Sequence, residues 1–205
     1  MINLKGKNVF LTGATGGIGS EFLKQLTFEK CNIFPTYTFL HDFRNENHIY
    51  EAVMDCKKEF DHIDILINCA GIFTGNFNDM FNINVKAPYI FMEEFKKDMI
   101  ERKWGRIVNI CSSSAYKGVA DTPLYCASKH ALLGLSRSFY EDLKKHNIRV
   151  FSVSPGTVQT KMGRLIKGDW NTFINPKELV KYIINIIKYD NELIIEEIKI
   201  NRFRR

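Results

Sequence analysis

Strand-length apolar runs alternate with segments of helical period along almost the whole chain, and that alternation admits few architectures. A strand-helix-strand succession sets neighbouring strands parallel, and the helices must then cover both faces of the sheet. NVFLT (8–12), DILIN (64–68), RIVNIC (106–111), RVFSVS (149–154) and LIIEEIKI (193–200) read as strands. Between them, Ile18, Phe22 and Leu26 recur at helical spacing, as do Ile49, Val53, Cys56 and Phe60. Further helices are expected over 84–102, over 124–146 and from Pro176 to about residue 188, the last with Asn175 as N-cap and Glu178 as capping-box acid. Residues 31–45 offer strand-like side chains but no helix. Two parallel neighbours need a crossover of about a dozen residues, so only one strand fits there. The expected fold is α/β, a doubly wound parallel sheet of about six strands.

The chain has 205 residues, which suits one domain over 1–205. Its 45% hydrophobic and 25% charged residues exclude collagen, low-complexity disorder and a membrane bundle. No run of 18 apolar residues occurs, so no membrane partner is expected. The opening MINLKGKNVFLTG has no signal-peptide core, and a cytoplasmic address is the expectation. Cys31, Cys56, Cys69, Cys111 and Cys126 match neither a metal-ligand nor a disulfide spacing, and are read as reduced and mostly buried. The net charge of +6 is spread along the chain apart from a short Arg202, Arg204, Arg205 tail, so nucleic acid is not an expected partner.

Two constellations carry chemistry. In TGATGGIG (12–19), the glycines at 13, 17 and 19 permit a tight turn, close approach of a pyrophosphate and packing of a helix whose N-terminus attracts anions. The pattern lacks the Gly-Lys-Ser/Thr of a phosphate-binding P-loop, which disfavours nucleoside triphosphate hydrolysis. In YCASK, Tyr125 and Lys129 are four apart and share a helix face, so an ammonium near the phenol favours its ionised form. Tyr140 and Lys144 have the same spacing but lack a strand-end serine 13 residues before the tyrosine, where Tyr125 has Ser112. They read as a surface pair.

The glycine pattern, NCAG (68–71), Asn84 in FNINVKAP, Ser112 in IVNICSSS, YCASK and SPGTVQT (154–160) together resemble the short-chain dehydrogenase/reductase family. The resemblance implies a single Rossmann-type domain that transfers hydride between NADP or NAD and a small-molecule carbonyl or alcohol. It implies that Tyr125 exchanges a proton with the substrate oxygen, and that Lys129 holds the nicotinamide ribose and stabilises the ionised phenol. Ser112 would polarise the carbonyl and Asn84 would keep a water beside Lys129. Gly13, Thr15, Gly17, Ile18 and Gly19 would form the cofactor turn. Pro155, Gly156, Val158 and Thr160 would contact the carboxamide, Asn68, Ala70 and Gly71 the adenosine ribose, and Asp42 the adenine. Relatives assemble as homodimers or homotetramers through the helices expected here at 84–102 and 124–146.

Three segments are shorter than the family pattern: the crossover near 31–45, the 12 residues between Gly71 and Asn84, and the lid after Thr160. They predict an open, shallow cleft. The usual cofactor-selecting position falls near Tyr37, which is neither acidic nor basic; Thr36 and Thr38, with His41 or Arg44 behind, favour NADP over NAD. Lys161, Arg164, Lys167 and Trp170 in the lid suggest a substrate with an anionic group and an apolar portion, or else a solvated segment anchored by one tryptophan. The trimmed adenosine side and the positive charge leave a rival: a cofactor-binding regulatory or scaffold protein with little or no turnover.

Overall fold

The computed structural model describes residues 1–202; Arg204 and Arg205 of the basic tail lie outside that range. Six parallel strands form one sheet: β1 (Asn8–Leu11), β2 (Asn32–Pro35), β3 (Ile65–Asn68), β4 (Gly105–Ile110), β5 (Ile148–Pro155) and β6 (Glu197–Ile200), in the spatial order β2-β1-β3-β4-β5-β6. Strand order reverses at the β1–β3 junction, where open α/β sheets leave a crevice outside the carboxyl ends of their strands.

Helix α1 (Gly17–Phe28) and the later α6 (Pro176–Ile187) cover one face, their Phe22, Leu26, Leu179, Val180 and Ile183 packing against Val9, Leu11, Ile65 and Val153. Helices α2 (Glu46–Glu59), α4 (Ala87–Glu101) and α5 (Pro123–Leu143) contribute to the other, where the rings of Phe91 and Phe95 each pack tilted against Phe10 with centroids 4.9 Å apart. Strands buried on both faces must be apolar throughout, which is why they read as continuous runs rather than alternating ones.

Residues 31–45 hold a single strand, β2, as expected; it is an edge of the sheet, and the chain leaves it through α2 for β3. Two boundaries differ from the sequence reading. The helix expected over 84–102 starts earlier: a short helix α3 (Phe77–Phe81) passes through a π-helical turn, Asn82–Lys86, into α4. Asn84 therefore sits mid-helix rather than opening one. The start at 77 is set by Asn76, whose side chain accepts from the Asp79 amide at 2.9 Å and donates to the Asp79 carboxylate at 3.1 Å. The last strand is confined to Glu197–Ile200 rather than 193–200. Arg149 donates to the carbonyls of Asn191 and Leu193, which keeps that segment out of the ladder.

Candidate functional site

The ends of β1, β3, β4 and β5 line two cavities. The larger, about 650 Å³, is lined by Ile18, Gly71, Phe73, Ser112, Tyr125, Lys129, Pro155, Gly156, Val158 and Thr160, among others. The smaller, about 410 Å³, is lined by Gly13, Thr15, Thr36, Thr38, His41, Asp42, Arg44, Ala70, Gly71 and Asp79, among others. Cys69 and Gly71 line both, so the cavities lie side by side across the end of β3.

Three glycines shape the turn between them. Gly13 has φ +69° and lies against the next strand end: a Cβ there would sit 2.8 Å from the Ala70 Cα. A Cβ at Gly17 would lie 2.5 Å from the Thr160 methyl, and one at Gly19 2.0 Å from the Gly13 carbonyl oxygen. Gly17 thus admits the segment after β5, and Gly19 lets α1 dock on the turn. Gly16, the N-cap of α1, offers no side-chain acceptor, and the first turn holds no acid. Unpaired amides and a positive dipole end face the cradle, a fit for an anionic pyrophosphate.

Thr12 is a site residue that the sequence reading missed. Its hydroxyl oxygen accepts from the amides of Cys69 at 3.0 Å and Ala70 at 2.9 Å, fixing the end of β3 against that of β1. Its place directly after an apolar strand and before Gly13 was the available signal. Asn84, fully buried, lines neither cavity. Its Oδ1 accepts from the Ile72 amide at 2.9 Å, while its Nδ2 donates to the Ile72 carbonyl at 2.9 Å and to Ser128 Oγ at 3.0 Å. Ser128, also missed, donates in turn to the Tyr125 carbonyl at 2.8 Å. Asn84 thereby ties the β3 strand end to the helix that carries Tyr125 and Lys129. Asn68 also lines neither cavity: its Nδ2 donates to Asn109 Oδ1 at 2.8 Å, and Asn109 donates to Ser136 Oγ at 2.8 Å beneath the site.

Tyr125 and Lys129 lie on one face of α5, with the Lys129 ammonium 5.8 Å from the phenol ring centroid. Lys129 is buried and donates to the Ile110 carbonyl at 2.9 Å, leaving two of its three donors for other partners. Phe73 meets the Tyr125 ring edge-on at 4.9 Å and holds it from the opposite strand end. Ser112 is buried; its oxygen accepts from the Ser114 amide at 3.1 Å, capping a 3₁₀ turn, which leaves the hydroxyl proton available. Cys69 and Cys111 also line the larger cavity, but burial pushes their thiols up to about 12 and about 11, so both are protonated at neutral pH and neither is an activated nucleophile.

In the smaller cavity, Asp42 is clamped by Arg44: the guanidinium Nε lies 2.9 Å from each carboxylate oxygen and a terminal nitrogen pairs as well. That hydrogen bonding holds the Asp42 carboxyl below the usual carboxylate range. Thr36 accepts from the Gly13 amide at 3.4 Å, and Thr38 and Asp79 complete the polar lining. Between β5 and α6 the chain makes two single 3₁₀ turns, Gly163–Leu165 and Trp170–Thr172, and no α-helix. Arg164 stacks on Trp170, 4.7 Å from the ring centroid, and neither lines the larger cavity; nor does Lys161. Of the four lid residues singled out from sequence, Lys167 alone reaches it.

The short chain dehydrogenase family model matches residues 29–169. Xanthoxin dehydrogenase of Arabidopsis thaliana is 36% identical over 169 residues, covering 77% of this chain and 59% of that protein. The oxidoreductase YgcW of Escherichia coli (strain K12) is 30% identical over 188 residues, covering 77% of this chain and 72% of that one. Among solved structures, a 4-hydroxyisoleucine dehydrogenase complexed with NADH superposes with a TM-score of 0.84 at 28% identity, over 96% of this chain and 97% of that one. With a glycine turn, strand-end asparagine, serine and Tyr-X-X-X-Lys pair at the carboxyl end of one six-stranded parallel sheet, the chain belongs to the short-chain dehydrogenase family of oxidoreductases.

Proposed function

We propose that this protein interconverts a carbonyl and a secondary alcohol by hydride transfer with NADP or NAD. The observation that carries the reading is the convergence of Ser112, Tyr125 and Lys129 on one cavity together with Ile18 and the Pro155–Thr160 segment. The NADH held by the solved 4-hydroxyisoleucine dehydrogenase supports a nicotinamide cofactor, and the glycine cradle at α1 suits its pyrophosphate.

The glycine turn at α1 and Lys129 would hold a reduced nicotinamide cofactor, whose chemistry there would be hydride supply, two electrons with one hydrogen. Tyr125 supplies the second hydrogen as a proton to the carbonyl oxygen, and takes it back in the reverse direction. Ser112 donates its hydroxyl hydrogen to the same oxygen and orients the carbonyl. Lys129 faces the phenol with its charge and has donors left for ribose hydroxyls. Asn84 positions both by anchoring Ile72 and Ser128, and the peptide around it is where a water beside Lys129 would be held. Thr36, Thr38 and Arg44 favour NADP over NAD, with Arg44 drawn from Asp42 towards a 2′-phosphate. Copies of the chain assemble through α4 and α5, where Tyr89 is exposed beside Phe139.

The test mixes the protein with NADPH or NADH and a panel of ketones and aldehydes, and follows cofactor oxidation. Turnover is expected, with Tyr125→Phe lowering kcat about 10²- to 10⁴-fold while cofactor binding is retained. Saturable cofactor binding without turnover on any carbonyl supports the regulatory reading instead. Tighter binding of NAD than of NADP by titration overturns the cofactor preference alone.

A further inference from the structure

We infer that the substrate of this site is an oxo acid, a carbonyl compound bearing a carboxylate at the end of an apolar segment; this rests on the hydride-transfer reading. The larger cavity has three zones. Its floor, the buried and half-buried part of the lining, holds the reacting groups Ser112, Tyr125 and Lys129. Its walls are apolar: Phe73, Val119, Met162, Leu165 and Ile166, of which Val119 and Leu165 are 41% and 60% exposed at the rim. Apolar side chains left wet on either side of a cleft mark a place where a ligand completes the burial.

The third zone is the mouth. Four charged side chains line the cavity: Lys117, Asp121, Lys129 and Lys167. Lys129 is buried at the floor and bonded to the Ile110 carbonyl, whereas Lys117, Lys167 and Asp121 are exposed, so these three form the mouth. Lys117 follows the 3₁₀ turn after β4, and Lys167 comes from the lid, so the two cations reach the rim from different segments. Neither forms an ion pair among the described residues, and neither does Asp121. Two lysines against one aspartate leave a net charge of +1 at the mouth, which matches a monoanionic carboxylate better than a phosphate dianion. The polar floor fixes where the carbonyl sits and the apolar walls separate it from the anion.

The experiment compares oxo acids of graded chain length, 4-oxopentanoate to 7-oxooctanoate, with their methyl esters, which keep shape and lose charge. The expected result is a higher kcat/KM for the acid of each pair, carried by KM and shrinking in 0.5 M salt because the charges are exposed. Lys117→Ala and Lys167→Ala should each lower the acid-to-ester ratio by about two- to fivefold, the range of an exposed ion pair. Asp121→Asn should raise the ratio. Lys161→Ala, the same charge change outside the cavity, should leave it where it was. Esters turned over as well as acids, or a ratio equally sensitive to Lys161→Ala, overturns the oxo-acid assignment and leaves hydride transfer standing. Absence of turnover on acids and esters alike, with aldehydes also inert, sinks both.

Discussion

Tyr125 and Tyr140 show what residue spacing can and cannot specify. Each has a lysine four positions on, and the ammonium lies 5.8 Å from the first ring and 5.2 Å from the second. The pair geometry is a property of any helix. What differs is the surroundings: Lys129 is buried and donates to a strand-end carbonyl, whereas Lys144 is exposed and paired with Glu141 at 2.7 Å. Ser112, 13 positions before Tyr125, was the readable mark of that difference. Glycine 13 permits an equally sharp test. Gly13→Ala would force a Cβ into the Ala70 backbone at a positive φ, so a loss of about 1–3 kcal/mol in stability is expected by denaturant titration. Cofactor affinity should fall with it. Asn68 shows what residue-scale reading leaves out: its Nδ2 is bonded to Asn109, a partner 41 residues away that no local pattern announces, while its Oδ1 has no partner among the described residues.

At the scale of elements, most helices and strands were legible because their apolar period is unbroken. The exceptions are places where a side chain, rather than the period, sets the end. Asn76 caps α3 and moves a helix start upstream, and the Asn-Phe-Asn-Asp sequence carried that signal; the Arg149 grip on residues 191 and 193 carried none. Asp64 plays a comparable role at the opposite end of the sheet from the site. It accepts from Arg102 at 2.8 Å, from the Asn8 amide at 3.0 Å and from Lys7 at 3.4 Å, joining the starts of β1 and β3 to the end of α4. Burial alone would push its carboxyl up, but the Arg102 and Asn8 hydrogen bonds outweigh it and the carboxyl ends below its ordinary value. The folded form thus binds this proton less readily than the unfolded chain. The stabilisation is complete above about pH 4 and disappears as pH falls through the folded value. Asp64→Asn should cost about 1–3 kcal/mol at pH 7 and flatten the acid limb of a stability-versus-pH curve, as read by thermal melts.

For the whole molecule, the parallel direction of the strands follows from the strand-helix alternation, since a chain of βα units without hairpins has little choice but to wind parallel; the order β2-β1-β3-β4-β5-β6 does not follow from it. The placement of the site follows too, because Gly13, Asn68, Gly71, Ser112 and Pro155 all fall at or just beyond the carboxyl ends of strands. What the chain could not reveal was which charges on its lid face inward; Arg164 and Lys167 look alike in sequence and part company only when Trp170 captures the first. Assembly is a prediction at this scale. Light scattering at micromolar protein should give a mass at least twice the 23.8 kDa of one chain, and a monomer refutes association through α4 and α5.

The sheet ends on β2, four residues long and closed by Pro35, with Phe28 and Phe39 standing exposed nearby. An outermost ribbon with open amides and carbonyls is a template on which a stranger's chain can add itself. Brevity and an imide that cannot donate both blunt that template, so Pro35→Val should leave the fold intact yet make concentrated solutions turn turbid sooner on warming.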